Sequence, residues 1–107
     1  MASSTAIAPL PNLELARARY TRGLELYKAH DSAGALSQFE DAFVAAPVWQ
    51  MRFNLAQLHG ELNHPLDARE ELEAYLSEGG GAVTEERRRE VATKLHEIAV
   101  ELASAGH

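Results

Sequence analysis

The 107-residue sequence predicts an all-α protein with five helices, and three observations lead to that prediction. Apolar residues recur at intervals of three and four residues along five segments, which is the spacing of one face of an α-helix. Proline, glycine and helix-capping residues separate these segments and mark where helices begin and end. No stretch of the chain alternates apolar and polar residues over the length of a β-strand.

The first two helices follow an opening segment, residues 1–11, that is small, polar and interrupted by two prolines. We expect this segment to be disordered. Asn12 is suited to cap a first helix, which runs to about Ala29. Ser32 is suited to cap a second helix, because its hydroxyl accepts hydrogen bonds from the free amides of a first helical turn. Pro47 limits this second helix, since the residue before a proline avoids the helical conformation.

Three further helices fill the rest of the chain. A third is predicted over residues 48–62, and Pro65 is well placed as the first residue of a fourth. The glycines at 79–81 end the fourth helix and are expected to form a flexible joint. Thr84 is suited to cap a fifth helix that ends near Ser104, with acidic residues in its first turn, where the helix dipole favours them.

Composition excludes several function classes. The chain has no cysteine, which rules out disulfides, Cys-based metal sites and thiol chemistry. Sixteen Asp and Glu against ten Lys and Arg give a net charge of -6, so nucleic acid is not expected as a partner. The sequence shows neither a signal-peptide pattern nor the ~20 apolar residues of a membrane-spanning helix. We therefore expect a cytoplasmic protein without membrane insertion, or a periplasmic or envelope protein if the sequence comes from a longer exported chain.

Two parts of the sequence repeat with an offset of 33 residues. Small residues recur where two helices would approach closely, and a large residue recurs where it would fill the groove between them. The alignment matches Gly23, Ala35, Phe39, Ala42 and Pro47 with Ala56, Ala68, Leu72, Tyr75 and Gly80. The offset is close to the ~34 residues of a tetratricopeptide repeat.

The first copy resembles the tetratricopeptide repeat (TPR) family in its order of small, small, aromatic, small and proline residues. Residues 54–56 (Asn-Leu-Ala) are similar to the family's Asn-Leu-Gly motif, and residues 31–35 to its Gly-Asp-x-x-x-Ala turn. This resemblance, to TPR proteins of bacterial type, implies a right-handed α-solenoid of antiparallel helix pairs. The implied parts are a domain over 12–104, made of repeat one (about 16–48), repeat two (about 49–81) and a capping helix (about 84–104), and then a tail at 105–107.

The titratable residues predict neither catalysis nor a cofactor or metal site. An enzyme needs several such groups converging in a pocket, and none of the five histidines forms a ligand pair at helical spacing. His30 and His64 lie at turns, where we expect solvated caps. The arginines at 87–89 are expected on a solvated helix start, with contact to an anion or partner as the alternative. Gly60 lies within a helix at a cost of ~1 kcal/mol relative to Ala, which is typical of a close backbone approach.

In TPR proteins the first helix of each pair lines a concave groove that receives a partner segment. By register, the resemblance implies binding residues on the first, third and closing helices. They are Arg17, Tyr20, Thr21, Leu24 and Tyr27, then Gln50, Phe53, Asn54 and Gln57, and finally Arg89, Thr93 and His96. Tyr20 and Tyr27 are also of a type enriched at interfaces, because each has an apolar body and a polar tip. The alternative for Tyr20, Leu24 and Phe53 is that they close the core.

The sequence therefore predicts a non-catalytic module that binds a peptide or protein segment in its concave groove. The alternative is a structural self-assembly unit, since two repeats are fewer than the ~3 that a solenoid usually needs. The apolar stripe on the closing helix would need covering in that case; it consists of Val91, Leu95, Ile98 and Leu102. Such a unit would form a homo-oligomer or continue a longer TPR array. A third hypothesis is an accessory domain of an enzyme whose catalytic part lies outside this chain.

Overall fold

The structure, a computed structural model, describes residues 10–106 and is all-helical in that part. Five α-helices confirm the predicted fold class: α1 (Leu13–Lys28), α2 (Ser32–Ala45), α3 (Met51–Glu61), α4 (Pro65–Gly79) and α5 (Glu85–Ala105). A short 3-10 helix, Gly80–Ala82, follows α4. Within the described range there is no β-strand, and no helix is long and apolar enough to cross a membrane. The disorder expected at the N-terminus concerns mainly residues 1–9, which lie outside the description, as does the last residue of the expected tail.

Asn12 and Thr84 cap α1 and α5 as predicted. Asn12 Oδ1 accepts a hydrogen bond from the Leu15 amide (3.0 Å), and Thr84 Oγ1 accepts one from the Arg87 amide (3.1 Å). Each satisfies one of the amides that a first helical turn leaves without an intrahelical partner. Pro65 is the first residue of α4, also as predicted; its missing N–H costs no hydrogen bond there.

The predicted cap of α2 is wrong by one residue. Asp31, not Ser32, occupies the N-cap position, and its Oδ1 accepts a hydrogen bond from the Gly34 amide at 2.9 Å. Ser32 is already helical, and its hydroxyl donates to Glu61 on α3 at 3.2 Å. Serine and aspartate are both good caps, so the sequence alone does not tell which of the two residues caps α2. The contact of Ser32 with α3 distinguishes them in the structure.

The segment between α2 and α3 is a turn, so α3 begins at Met51, three residues later than predicted. The amides of Met51, Arg52 and Phe53 donate to carbonyls three residues earlier, which is a tighter spacing than that of an α-helix. The Trp49 side chain in this turn packs against Tyr75, with 5.1 Å between ring centroids. The turn thus anchors the start of α3 to α4.

The glycines at 79–81 end α4 as predicted and continue into the short 3-10 helix, and Gly79 is the one of the three that packs against neighbouring side chains. Gly79 is buried at the end of α4, and a side chain there would overlap the Trp49 ring. The Gly80 carbonyl accepts a hydrogen bond of 2.7 Å from the Arg88 guanidinium. These contacts hold the start of α5 against the end of α4.

Among the described residues, the closest backbone approaches join each α-helix to the helices that precede and follow it in the chain. Side chains also connect α1 to α3 and α3 to α5. The buried residues form two cores, and α3 contributes to both. The first core contains Ala35, Leu36, Phe39, Ala42, Met51, Leu55 and Leu58. The second core contains Ala56, Leu72, Tyr75, Val83 and Val91.

The two mid-helix glycines have opposite surroundings. Gly23 on α1 lies against Phe39 on α2, and an added methyl group would overlap the Phe39 ring. The predicted close approach of these two helices is therefore confirmed. At Gly60 on α3, an added methyl group would meet no atom within 4 Å. The close approach predicted there is wrong, because Gly60 borders an open groove.

The turns between α1 and α2 and between α3 and α4 share one backbone design. Each contains a residue with positive φ, His30 (65°) or Asn63 (62°), and these two lie 33 positions apart. In each turn the next amide donates back to a carbonyl in the preceding helix. The donor and acceptor pairs are Asp31 to Leu26 and His64 to His59, both at 2.8 Å. This is the Schellman pattern, so the repeat in the sequence recurs in the backbone of both turns.

Ion pairs join α3 to α4 on the side of the molecule where α2 packs. The Arg52 guanidinium lies 3.0 Å from Glu71 and 2.9 Å from Glu78, and 4.7 Å from the Phe43 ring centroid on α2. The hydrogen bond to Glu78 is the largest cause that raises the pKa of Arg52 above its usual range; burial lowers this pKa, and the hydrogen bond to Glu71 and the two carboxylate charges raise it further. Arg52 thus remains charged while it links three helices.

Candidate binding surface

A hollow of about 90 Å³ lies between α1 and α3. Its walls include Tyr20, Leu24, Tyr27, Asn54, Gln57 and Leu58, and all but Leu58 belong to the predicted binding set. Tyr20 also stacks on the core residue Phe39, with ring centroids 5.1 Å apart, whereas Leu24 is 37% exposed. Tyr20 therefore serves both the core and the hollow, and Leu24 lies mainly at the surface.

A larger groove of about 390 Å³ lies between α3, α4 and α5. Apolar side chains line it: Phe53, Ala56, Ala68, Leu72 and Ile98. Charged side chains also border it: Glu61, Lys94, Glu97 and Glu101. With three carboxylates and one ammonium group, the groove combines an apolar lining with a mainly negative border.

A third hollow of about 320 Å³ lies where α3 meets the start of α5, and Gln50, Tyr75, Thr84 and Arg87 border it. The three depressions share walls. Gln57 borders the first hollow and the groove, Phe53 the groove and the third hollow, and Asn54 the first and third hollows. Together they form one continuous surface along α3, which we call the α3 surface.

Phe53 is the central aromatic residue of the α3 surface. Its ring centroid lies 5.6 Å from that of Tyr75, so one side of Phe53 supports the second core. The Arg87 guanidinium lies 4.0 Å from the Phe53 centroid, within the range of a cation–π contact. Phe53 is half-buried, so it holds α3 and α5 together and also presents an apolar contact to the surface.

The Tyr27 hydroxyl is engaged within the chain. It donates a hydrogen bond of 2.9 Å to Glu61 Oε2, while the Ser32 hydroxyl donates one of 3.2 Å to Glu61 Oε1. The hydrogen bond to Glu61, and then the charge of that carboxylate, raise the pKa of Tyr27 above its ordinary value of 10.0. Tyr27 therefore links α1 to the end of α3 through its hydroxyl and offers its ring to the hollow.

Two predicted residues of α1 lie away from the α3 surface. Arg17 and Thr21 border a shallow, open depression on α1 itself, together with Glu14, Arg22 and Glu25. The structure thus divides the α1 residues of the predicted set between two sides of the helix. Only Tyr20, Leu24 and Tyr27 share the hollow with α3.

On α5 the structure presents a different face from the one that the resemblance implies. The implied residues Arg89, Thr93 and His96 are exposed but border none of the depressions described above. The α5 residues that border the groove are Lys94, Glu97, Ile98 and Glu101. Consecutive helical residues point ~100° apart, so a shift of one or two positions in register selects another side of α5.

Three side chains of metal-ligand type meet at the α3–α4 turn, which the sequence analysis missed. His59 Nδ1 and His64 Nδ1 are 3.2 Å apart, and an Asp67 carboxylate oxygen completes a group whose atoms lie within 4.8 Å of one another. His64 is exposed and occupies the N-cap position of α4, as expected, but its side chain makes no cap hydrogen bond and its ring contacts His59. Helical spacing does not reveal the pair, because the turn brings the two rings together.

Comparisons of the chain with known proteins found no relative. No protein-family model matches the chain, and no curated protein or solved structure is significantly similar to it.

Proposed function

We propose that this chain is a TPR-like interaction module that binds a peptide or protein segment on the α3 surface and does no catalysis. The proposed architecture is a right-handed α-solenoid made of two antiparallel helix pairs and a capping helix. Two observations support it: both inter-helix turns have the same hydrogen-bond pattern 33 residues apart, and in the described part the closest backbone approaches join helices that are adjacent in the chain.

The continuity of the α3 surface carries the proposal. A bound segment needs apolar contacts and partners for its backbone amides and carbonyls. The aromatic rings of Tyr20, Tyr27 and Phe53 offer the contacts, and the side-chain amides of Asn54 and Gln57 each offer a donor and an acceptor. These groups border connected depressions, so one extended segment is able to reach all of them.

The charges on the groove favour a basic partner segment. Glu61, Glu97 and Glu101 border the groove, and the chain as a whole has a net charge of -6. Complementary charge speeds association and disfavours partners of the wrong sign. The partner that fits this surface has apolar side chains for the lining and Lys or Arg for the border.

The alternative function, a self-assembly unit, rests on the small number of repeats and on an apolar stripe on α5 that would need covering. Val91 in that stripe is fully buried in the second core, and Leu95 and Ile98 are half-buried against it. Three of the four stripe residues are therefore covered within the chain, which leaves less apolar surface for self-association, and we expect light scattering to find a monomer across a concentration series.

A peptide-display selection tests the proposal. Random peptides are selected on the intact chain, and their affinities are then compared between the wild type, Asn54→Ala and Gln57→Ala. Each substitution should weaken binding by at least about fivefold, the effect of a residue that contributes more than ~1 kcal/mol, with little change in the thermal midpoint.

The matched control is Glu70→Ala, because Glu70 is exposed on α4 and borders none of the three depressions. Its affinity should equal that of the wild type. The selected peptides should also be rich in Lys and Arg. Peptides that bind all four proteins equally, or a selection that enriches no sequence, would refute the proposed function.

A further inference from the structure

The α3–α4 turn holds a side-chain cluster that the proposed binding function does not use. His59, from the last turn of α3, is 8% exposed, so its imidazole is held in one place by its surroundings. His64 and Asp67, from the start of α4, are exposed and approach it from solvent. The geometry points to a binding site for one divalent late first-row transition-metal ion, of the Zn²⁺ class, at these three side chains.

The distance between the two imidazole nitrogens fits a shared ion. Zn²⁺ binds imidazole nitrogen at about 2.0–2.1 Å, and a tetrahedral angle between two such bonds separates the nitrogens by roughly 3.3–3.4 Å. His59 Nδ1 and His64 Nδ1 are already 3.2 Å apart. Without metal, the N–H of one ring donates a hydrogen bond to the nitrogen of the other, and the ion would take the place of that shared hydrogen.

Asp67 supplies the charge that the two neutral imidazoles lack. One of its carboxylate oxygens lies within 4.8 Å of a ligand nitrogen of each histidine, and a movement of this exposed side chain would bring the oxygen to coordination distance. Two histidines and a carboxylate are a known set for catalytic-type zinc sites, in which water fills the remaining position. We assign no reaction to this site; its open position faces solvent.

Comparison with the first turn shows that the cluster is not a by-product of the shared turn design. The positions 33 residues earlier hold Leu26, Asp31 and Gly34, where Asp31 simply caps the Gly34 amide at 2.9 Å. In the second turn the three positions hold His59, His64 and Asp67 instead, and His64 makes no cap hydrogen bond. The second turn therefore lacks a side-chain cap and has three ligand-type side chains in its place.

The donor set also determines which ions the site selects. Two imidazoles favour Zn²⁺, Ni²⁺, Co²⁺ and Cu²⁺, whereas Mg²⁺ and Ca²⁺ favour oxygen ligands. The N-terminus of α4 opposes a cation, but the C-terminus of α3 beside it favours one, and each effect is small compared with direct coordination. A bound ion would join the end of α3 to the start of α4, a role separate from the α3 surface.

The test uses the 107-residue chain without an affinity tag. It is titrated calorimetrically with ZnCl₂ and NiCl₂, and with MgCl₂ as the ion that should not bind. We expect one Zn²⁺ per chain. A free Zn²⁺ concentration of about one hundred times the dissociation constant should raise the thermal midpoint by roughly 10 °C. His59→Leu and His64→Asn should each weaken binding at least tenfold.

Both variants are chosen to keep the fold. His59→Leu places the residue of the first turn at the matching position, and His64→Asn introduces a good N-cap. The matched control is His30→Asn, which removes a histidine from the first turn and introduces the residue that the second turn has there; its Zn²⁺ affinity should equal that of the wild type. The absence of a saturable one-to-one Zn²⁺ titration, or equal weakening in His30→Asn and His64→Asn, would overturn the assignment.

Discussion

The two helix pairs, α1–α2 and α3–α4, share a turn but differ in how their helices are held together. In the first pair, Gly23 leaves room for the Phe39 ring against α1, and Tyr20 stacks on that ring. In the second pair the matching positions hold Ala56 and Leu72, which are both buried. In the second pair, Leu72 thus takes the place of the larger Phe39, and Ala56 takes the place of the smaller Gly23.

The second pair adds ion pairs that the first pair lacks the residues to form. Arg52 contacts Glu71 and Glu78. The positions 33 residues earlier hold Arg19, Gln38 and Ala45. Gln38 Oε1 is buried without a hydrogen-bond partner in the described part of the chain. The two helix pairs share the same turn, but the close packing of Gly23 and Phe39 distinguishes the first pair and the ion pairs of Arg52 distinguish the second.

The largest expected effect comes from making the same substitution at the two mid-helix glycines. Gly23→Ala should destabilise the chain by roughly 1–3 kcal/mol, because the new methyl group overlaps Phe39. Gly60→Ala should instead stabilise it by up to about 1 kcal/mol, because the methyl group meets open space and Ala favours the helix. Urea denaturation of both variants measures the difference, and effects of equal sign would contradict the contrast between these sites.

A smaller effect is expected when the two equivalent arginines are compared. Arg52→Leu should cost about 1–2 kcal/mol, because it leaves the half-buried Glu71 carboxylate without its partner. Arg19→Leu, at the matching position of the first pair, should change stability by less than about 0.5 kcal/mol. Thermal unfolding of the two variants checks this, and equal losses would show that charge is not what distinguishes the pairs.

The smallest effect concerns the link between the pairs and appears only at alkaline pH. The Tyr27 pKa is raised in the folded chain by its hydrogen bond to Glu61. The contribution of this hydrogen bond to the stability of the folded chain is therefore fully present below about pH 10, the ordinary pKa of tyrosine. It is lost as the pH rises through the higher pKa of Tyr27 in the folded chain. Tyr27→Phe should lack this loss, so the stability difference between wild type and variant should shrink between about pH 8 and about pH 11. A constant difference over that interval would argue against the link.

Local features of this chain were predictable from the sequence. Asn12, Pro65 and Thr84 take the expected positions at helix starts, because capping depends on a few adjacent residues. The close contact at Gly23 also followed from the repeat, since a glycine facing an aromatic residue leaves few other arrangements.

Features that depend on packing between distant elements were not predictable in this way. The cap at Asp31 depends on the contact of Ser32 with Glu61, 29 residues away. The side of α5 that faces the groove depends on how that helix packs on α4. The sequence offered one indication of this side, because Lys94 and Glu97 lie beside the buried apolar stripe of α5. The pairing of His59 with His64 depends on a turn that reverses the chain between them.

The position of α3 in both cores has a consequence for cooperativity. Leu55 and Leu58 face the first core, while Ala56 faces the second. Removing α3 would expose apolar surface on both sides at once, so neither pair retains a complete core without it. Although the closest backbone approaches join helices that are adjacent in the chain, we therefore expect the molecule to unfold as one unit, with the amides of α3 exchanging with solvent only when the whole molecule opens.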